Sequence, residues 1–486
     1  MSNILIRHIN FKQSGGLIFI LLLLLSVIAL PIVALKFGLS GVILILLGII
    51  APIVAVSIIK FPVFGVAVYL IMAYWIMFIM NIGIDFPLGT LMDGILVLLL
   101  IGFFIEQRKN PRWDIYKNPI SIVILVWILY NVMQFINPNA ASLLAWVYTI
   151  RAIAAVTISY YIFSYHINSV DFIRWIIKIW LLFSVIAALY AAKQEHLGFF
   201  EFEQKALDAD ERLQNLLFIN GHWRKSSIFA DPVSFSYNMI VSSIICVALM
   251  FGPTSRKVKV MLFFFLLLFL NVMLYSGTRA AYVLFPAAMF FLAILKINKK
   301  ILFFSGACFI ILIVLIRMPT SNNSINRFQS AFRPNNDASY NVRVMNQKRI
   351  QPYILSHPLG GGLGSTGASG AKFSPNTFLA TFPPDSGYVR AAVELGWIGL
   401  LLLCALMFVA LKTGIDNYFE MQDPELKTYC LAMLLMIFAM CIGNFPQEGF
   451  IQFPLNIYLY LAIALLNVTM RLDIQKRTTD LHEINK

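Results

Sequence analysis

Charge is what this sequence has least of. Asp, Glu, Lys and Arg make up 12% of its 486 residues, against about 25% in a typical soluble domain, which excludes a soluble enzyme with one anchor. Acidic residues are the scarcer sign, 23 against 37 basic, for a net charge of +14. The five cysteines (Cys246, Cys308, Cys404, Cys430 and Cys441) lie inside or at the ends of apolar runs, with no CxxC and no Cys/His pairing. They read as packing residues, which excludes a disulfide framework and a cysteine metal site. There is no GxxxxGKS/T and no HExxH, hence no sign of a P-loop or of a zinc hydrolase. GLGSTG, at 362–367, matches GxGxxG in letters but lacks the preceding strand and following helix of a dinucleotide unit. The first apolar run, from Gly16 to Leu35 after Arg7 and Lys12, has no small-residue cleavage site. It reads as the first helix and not as a cleaved signal.

What is abundant is apolar surface: 60% of the residues are hydrophobic and the mean hydropathy is +0.81. At about 20 residues per crossing this predicts an all-α polytopic membrane protein with about fourteen spans, within a range of about twelve to fourteen. Apolar runs place them at 16–35, 39–59, 61–80, 91–105, 119–135, 145–165, 171–192, 233–251, 260–276, 279–295, 301–317, 386–411, 428–445 and 453–470. The pair before residue 60 is interrupted by Pro31, Pro52 and Pro62, which fits a break or a shallow hairpin as well as two crossings. Cations collect in alternate turns: Arg108, Lys109, Arg112 and Lys117, then Arg256, Lys257 and Lys259, then Lys296, Lys299 and Lys300, then Arg471, Lys476 and Arg477. That side is cytoplasmic by the positive-inside rule, so both termini are inside, and the net charge reports orientation and not a nucleic-acid partner.

This topology predicts N-terminal spans over 1–192, a first outer (periplasmic) loop over 193–232, central spans over 233–317, a large outer loop over 318–385, C-terminal spans over 386–470 and a cytoplasmic tail over 471–486. Long loops tend to carry function. The first contains QKALDADERLQNLLFI, 204–219, whose leucines 207, 213, 216 and 217 predict an amphipathic helix along the membrane surface. The second is rich in cations (Arg327, Arg333, Arg343, Lys348, Arg349 and Lys372 against Asp337 and Asp385). That excess fits either a solvated surface or an anionic ligand outside the membrane.

Three clusters could carry chemistry. Arg279, in YSGTRAAY, sits in a short turn between apolar helices, where it either snorkels to the interface or grips an oxyanion through its forked donors. Arg343 heads a predicted short helix that ends at His357-Pro358 before the glycine-rich loop. Asp385, in PPDSGY before an apolar helix, is placed as an N-cap and also as a general base between outer cations. Glu394, Glu448 and His357 are further candidate bases, with capping of the glycine loop preferred for His357. Trp223, Tyr353 and Tyr388 could stack on sugars or anchor at the interface. Arg151, Glu394 and Asp93 are the main charges at membrane depth.

RKSSIFADP (224–232), the Ser-Arg turn at 276–279, the stretch from Arg343 to HPLGGGLG, and DSGYVRAAVELGWIGL (385–400), in this order, resemble the O-antigen ligase and polymerase family of bacterial polysaccharide synthesis. The resemblance covers roughly residues 190–470. It implies a membrane glycosyltransferase of GT-C-like architecture in the bacterial inner membrane, with its active site on the periplasmic side. The implied substrate is an undecaprenyl-pyrophosphate-linked glycan, with membrane lipids, a flippase and a chain-length regulator as partners, and no metal, cofactor or nucleic acid. Arg279 and Arg343 would hold the pyrophosphate with Asp385 as base, and Arg224, His357, Tyr388 and Glu448 would line the substrate. Ligases of the family generally carry His-Asn where this chain has Asp385-Ser386, a departure that looks more like a polymerase. The alternatives are a ligase acting on lipid A-core or another acceptor and, in a different class, a transporter or flippase of lipid-linked glycans.

Overall fold

The computed structural model describes residues 50–81, 88–209, 211–219, 221–320 and 338–484, with a few positions between 320 and 338. The predicted span 16–35, most of 39–59, and Lys36, Arg327, Arg333 and Asp337 lie outside the described residues. The helices are α1 (Ile50–Lys60), α2 (Pro62–Asn81), α3 (Leu88–Lys109), α4 (Pro119–Met133), α5 (Leu143–Ile150), α6 (Val156–His166) and α7 (Val170–His196). After these come α8 (Glu201–Ala209), α9 (Glu211–Leu217), α10 (Pro232–Met250), α11 (Arg256–Met273), α12 (Ala281–Leu295) and α13 (Lys299–Arg317). The remaining six are α14 (Ala338–Ser356), α15 (Gly367–Phe373), α16 (Gly387–Glu394), α17 (Gly396–Glu420), α18 (Pro424–Gly443) and α19 (Leu455–Ile484).

Among the described residues, 11 helices are long and apolar enough to cross a membrane, and α1 and α12 are shorter apolar helices. The chain is an all-α polytopic membrane protein. Of the twelve spans predicted beyond residue 60, ten each correspond to one helix, 145–165 to α5 and α6 joined by a π turn, and 386–411 to two helices, α16 and α17. Lipid cannot hydrogen-bond the backbone, so every apolar run closes its own i→i−4 ladder. The starts are written locally: Asn118, Asp231 and Asp423 each cap a helix whose next residue is proline, which has no N–H to satisfy in the first turn.

Three helices form the centre. In α10, α18 and α19, 89%, 78% and 83% of the span is buried, against 44% or less in the other eight long apolar spans among the described residues. The centre is stitched by polar contacts as well as packing: the Asn238 amide donates to Tyr74 Oη at 2.7 Å, Tyr74 Oη lies 3.0 Å from Ser184 Oγ, and Ser184 Oγ lies 2.7 Å from Ser242 Oγ. Between α5 and α6 the chain makes one π turn, Arg151–Ala155, and Arg151 pairs with Asp93. Two charges predicted at membrane depth therefore neutralise each other.

Two expectations are corrected. The predicted amphipathic helix over 204–219 is two short helices, α8 and α9, followed by a hairpin pairing Phe218 with Trp223 and Ile219 with His222. The predicted span 386–411 breaks at Leu395-Gly396 into α16 and α17. Gly396 has φ +71°, and a Cβ there would lie 1.9 Å from the Pro358 carbonyl, so the glycine loop docks where the helix breaks.

Gly396→Ala is expected to displace that loop, lower the thermal midpoint in detergent and reduce activity sharply, because alanine is strained at positive φ and its methyl group collides with backbone. Gly94→Ala, where a Cβ meets nothing within 4 Å, is the control and should leave the midpoint unchanged or slightly raised; thermal denaturation of the two purified variants checks this.

Candidate functional site

Helix α14 is polar apart from one stripe. Ile350, Tyr353 and Ile354 pack on Leu379, Phe382, Val389 and Val393, which sets α14 against α16 with both chains running the same way. Arg343 is two turns before Ile350 and so on the same face, and Asp385 immediately precedes α16. The parallel docking thus carries Arg343 to Asp385.

Asp385 does not cap α16. The Ser386 side chain accepts from Val389 N–H and is the N-cap; two adjacent capping residues compete for one position, and the docking of Gly387 decides it. Gly387 N–H reaches the carbonyls of Asn444 and Gln447 at 3.0 and 3.1 Å, and a Cβ there would lie 2.0 Å from Asn444 Oδ1. Among the described residues, no hydrogen bond or ion pair occupies the Asp385 carboxylate. Burial raises its pKa above the ordinary carboxylate value, with the Arg343 charge opposing that rise.

The glycine loop holds an anion, but that anion belongs to the protein. Glu394, 1% exposed, accepts from Gly364 N–H at 2.9 Å, Thr366 N–H at 3.3 Å and Thr366 Oγ1 at 2.5 Å. Arg390 Nε completes the set at 3.1 Å, and Arg390 Nη1 reaches Glu448 Oε2 at 2.9 Å. Backbone bonds from Gly361 to Val393 and from Gly362 to Glu394, both 2.9 Å, weld the loop to the end of α16. Glu394, a candidate base, is thus enclosed. Glu448 is held too; burial raises its pKa, Arg390 lowers it, and Glu394 and Asp385 raise it further. Arg390 is the residue that sequence reasoning missed, although its i,i+4 spacing to Glu394 was a local signal.

The Ser-Arg turn is assembled separately. Gly277 supplies φ +58°, Arg224 Nε donates to Ser276 O at 2.9 Å, and its Nη2 reaches Thr278 Oγ1 at 3.1 Å. Thr278 Oγ1 donates to Pro232 O at 3.2 Å. At the start of α10, Ser234 Oγ lies 2.5 Å from Gln452 Oε1, in the same inter-helix turn as Glu448. Half-buried Arg279 is therefore carried at the end of the bundle where Asp385 and Glu448 sit.

The remaining candidates are engaged with other protein groups. Arg224 fixes the Arg279 turn. The His357 ring stacks on Tyr353 at 3.9 Å with Nδ1 2.8 Å from Ser356 Oγ, and its carbonyl accepts from Gly360 N–H at 2.9 Å, which matches loop capping. Tyr388 Oη donates to Cys441 O at 2.9 Å, and Trp223 packs against Phe218 and Phe199. Among the described residues, no group of three or more His, Cys, Asp or Glu is arranged to hold a metal ion.

Glu394→Gln removes the charge that Arg390 and the loop share. Losing one member of a buried pair costs about 3 kcal/mol, so a lower thermal midpoint is expected, together with loss of activity greater than in Glu394→Asp; circular dichroism melts and a membrane-based activity assay on the two variants check it.

A family model described as O-antigen ligase matches residues 263–404, a stretch that contains Arg279, Arg343, the glycine loop, Asp385 and Glu394. A curated protein of Salmonella muenchen, "O-antigen polymerase", is 22% identical over 338 residues, which cover 66% of this chain and 81% of the relative. Together these matches support, for this integral membrane protein, the O-antigen ligase and polymerase family of polysaccharide biosynthesis.

Proposed function

We propose that the protein is a polysaccharide polymerase that transfers a growing glycan from undecaprenyl pyrophosphate to a hydroxyl of an incoming lipid-linked repeat unit. The reaction takes place at the outer face of the bacterial inner membrane. The observation that carries this reading is the docking of α14 on α16, which brings the Arg343 charge near the half-buried Asp385 carboxylate at the start of α16. Glycan transfer needs both groups. The anomeric C–O bond breaks, negative charge grows on the departing pyrophosphate, and Arg343 and Arg279 stabilise it where it develops. Asp385 takes the acceptor hydroxyl proton as that oxygen bonds to the anomeric carbon. The products are a lengthened lipid-linked glycan and free undecaprenyl pyrophosphate.

The reading assigns the phosphate charge to guanidinium groups and calls for no metal, cofactor or nucleotide. It keeps Arg224, Arg390, Glu394 and His357 as positioning residues and leaves Glu448 and Tyr388 beside the acceptor. A flippase that delivers the repeat unit and a regulator of chain length are the expected partners. Asp385-Ser386, in place of His-Asn, favours the polymerase, as does the name of the Salmonella relative. The ligase is the second reading, favoured by the name of the family model. A transporter is disfavoured because the deep charges Arg151 and Asp93 are paired with each other and Glu394 is enclosed, whereas transporters keep ionisable groups near the midplane for their cargo.

Deleting the gene should leave surface glycan of one repeat, seen on a gel; long glycan stranded on the lipid carrier would indicate the ligase instead. In the polymerisation assay, Arg279→Ala and Arg343→Ala, with normal membrane insertion, should each lose about 10² to 10³ in rate, and wild-type chain lengths in both would contradict the phosphate clamp.

The pH profile tests the base. Because burial raises the Asp385 pKa, its carboxylate is lost at a higher pH than an ordinary aspartate's. Turnover should therefore fall on acidification with a midpoint above that of an ordinary aspartate. Asp385→Asn should be about 10² to 10⁴ slower and lack that limb; superimposable profiles would leave Asp385 a structural role only.

A further inference from the structure

The end of the bundle opposite Asp385 contains a second polar feature that glycan transfer does not use. A cavity of about 320 Å³ opens there between the last turn of α10, Lys296 after α12, Tyr418 of α17 and the first two turns of α18, with Lys427 and Thr428 on its wall. The α10 end and α18 approach closely: a Cβ on Gly252 would lie 2.6 Å from the Thr428 side chain. Lys296 Nζ donates to Phe251 O at 3.4 Å, and Lys427 Nζ donates to Met421 O at 3.2 Å while lying 5.0 Å above the Tyr418 ring.

Among the described residues, no carboxylate lines this cavity. The nearby acids already have partners: Asp423 caps α18 and pairs with Lys476, and Glu425 accepts from Arg174 Nε at 2.9 Å, Arg174 Nη2 at 3.0 Å and Tyr429 Oη at 2.6 Å. Among the described residues, Lys296 and Lys427 form no ion pair. They are half-buried and near enough to repel each other, and Lys259 adds a third charge; burial first, then these two neighbours, lower the Lys296 pKa. Holding like charges together without a counter-ion is unfavourable, and an anion that entered would relieve it.

We propose that this cavity binds the phosphate group of an anionic ligand. Two sources carry that chemistry, an anionic phospholipid headgroup at this membrane face and free inorganic phosphate. Basic pockets between membrane helices are suited to lipid headgroups. The neighbouring α13 offers acyl chains an apolar wall, with Phe303, Ile310 and Ile313 exposed and Phe304 packed on Phe251 at the cavity edge.

The test uses the full chain, purified in detergent and in nanodiscs of phosphatidylcholine with or without phosphatidylglycerol. Native mass spectrometry reads retained phosphatidylglycerol, and thermal denaturation compares potassium phosphate with potassium chloride at equal ionic strength. Wild type is expected to retain the lipid or to be stabilised by phosphate; lipid alone identifies the headgroup, and phosphate alone identifies the free anion. The Lys296→Gln/Lys427→Gln double variant should bind about thirtyfold more weakly, from about 1 kcal/mol per lysine, with polymerisation unchanged. The charge-preserving Lys296→Arg/Lys427→Arg variant should retain binding, which separates lost charge from lost folding. No response of wild type to either probe, or equal retention by wild type and a folded Gln variant, would overturn the proposal.

Discussion

A membrane offers a buried carboxylate nothing to bind, so protein groups must meet it. In this fold that demand falls on Glu394. Its two oxygens gather two backbone N–H groups, a threonine hydroxyl and a guanidinium. An exposed ion pair contributes at most about 1 kcal/mol, whereas leaving a buried charge unmatched costs several times that. The glycine loop therefore closes on Glu394, and the positions of the neighbouring elements depend on that closure.

The consequences run outward from the loop. Its backbone bonds hold the end of α16 and the break at Gly396, and its entrance at His357 ends α14. With both ends tied, α14 lies parallel to α16, and Arg343 comes to Asp385. Arg390 extends the same network to Glu448, so the turn between α18 and α19 is tied in as well. This division of labour explains why only some charges are available to a substrate. Arg224, Arg390 and Glu394 hold backbone and each other, while the Asp385 carboxylate has no such engagement among the described residues.

Much of the fold was legible in the sequence. Ten of the predicted spans match single helices because apolar length is a direct readout of bilayer thickness, and Asn118-Pro119, Asp231-Pro232 and Asp423-Pro424 mark starts by capping chemistry alone. The break at Gly396 was not legible: the apolar run continues through it, and a glycine inside such a run also fits close helix packing. The site was legible in its residues but not in their directions. Arg224, in a basic and polar stretch, reads as a ligand for an outer anion, yet its side chain turns inward onto Ser276. Asp385 and Ser386 are equally good caps, and only the docking of Gly387 on Asn444 chooses between them. Glu448 and Arg390 are 58 residues apart, a pairing that periodicity cannot reveal.

On the proposed function, Arg343 and Asp385, brought together by the docking that the Glu394-held loop secures, form the centre where a pyrophosphate leaves and an acceptor hydroxyl enters. The most direct measurement is an experimental structure of the protein with a polyprenyl-pyrophosphate glycan bound. Phosphate oxygens are expected within hydrogen-bond distance of Arg343 and Arg279, with the anomeric carbon facing Asp385. A pyrophosphate bound away from both arginines, or an Asp385 carboxylate turned from the sugar, would contradict it.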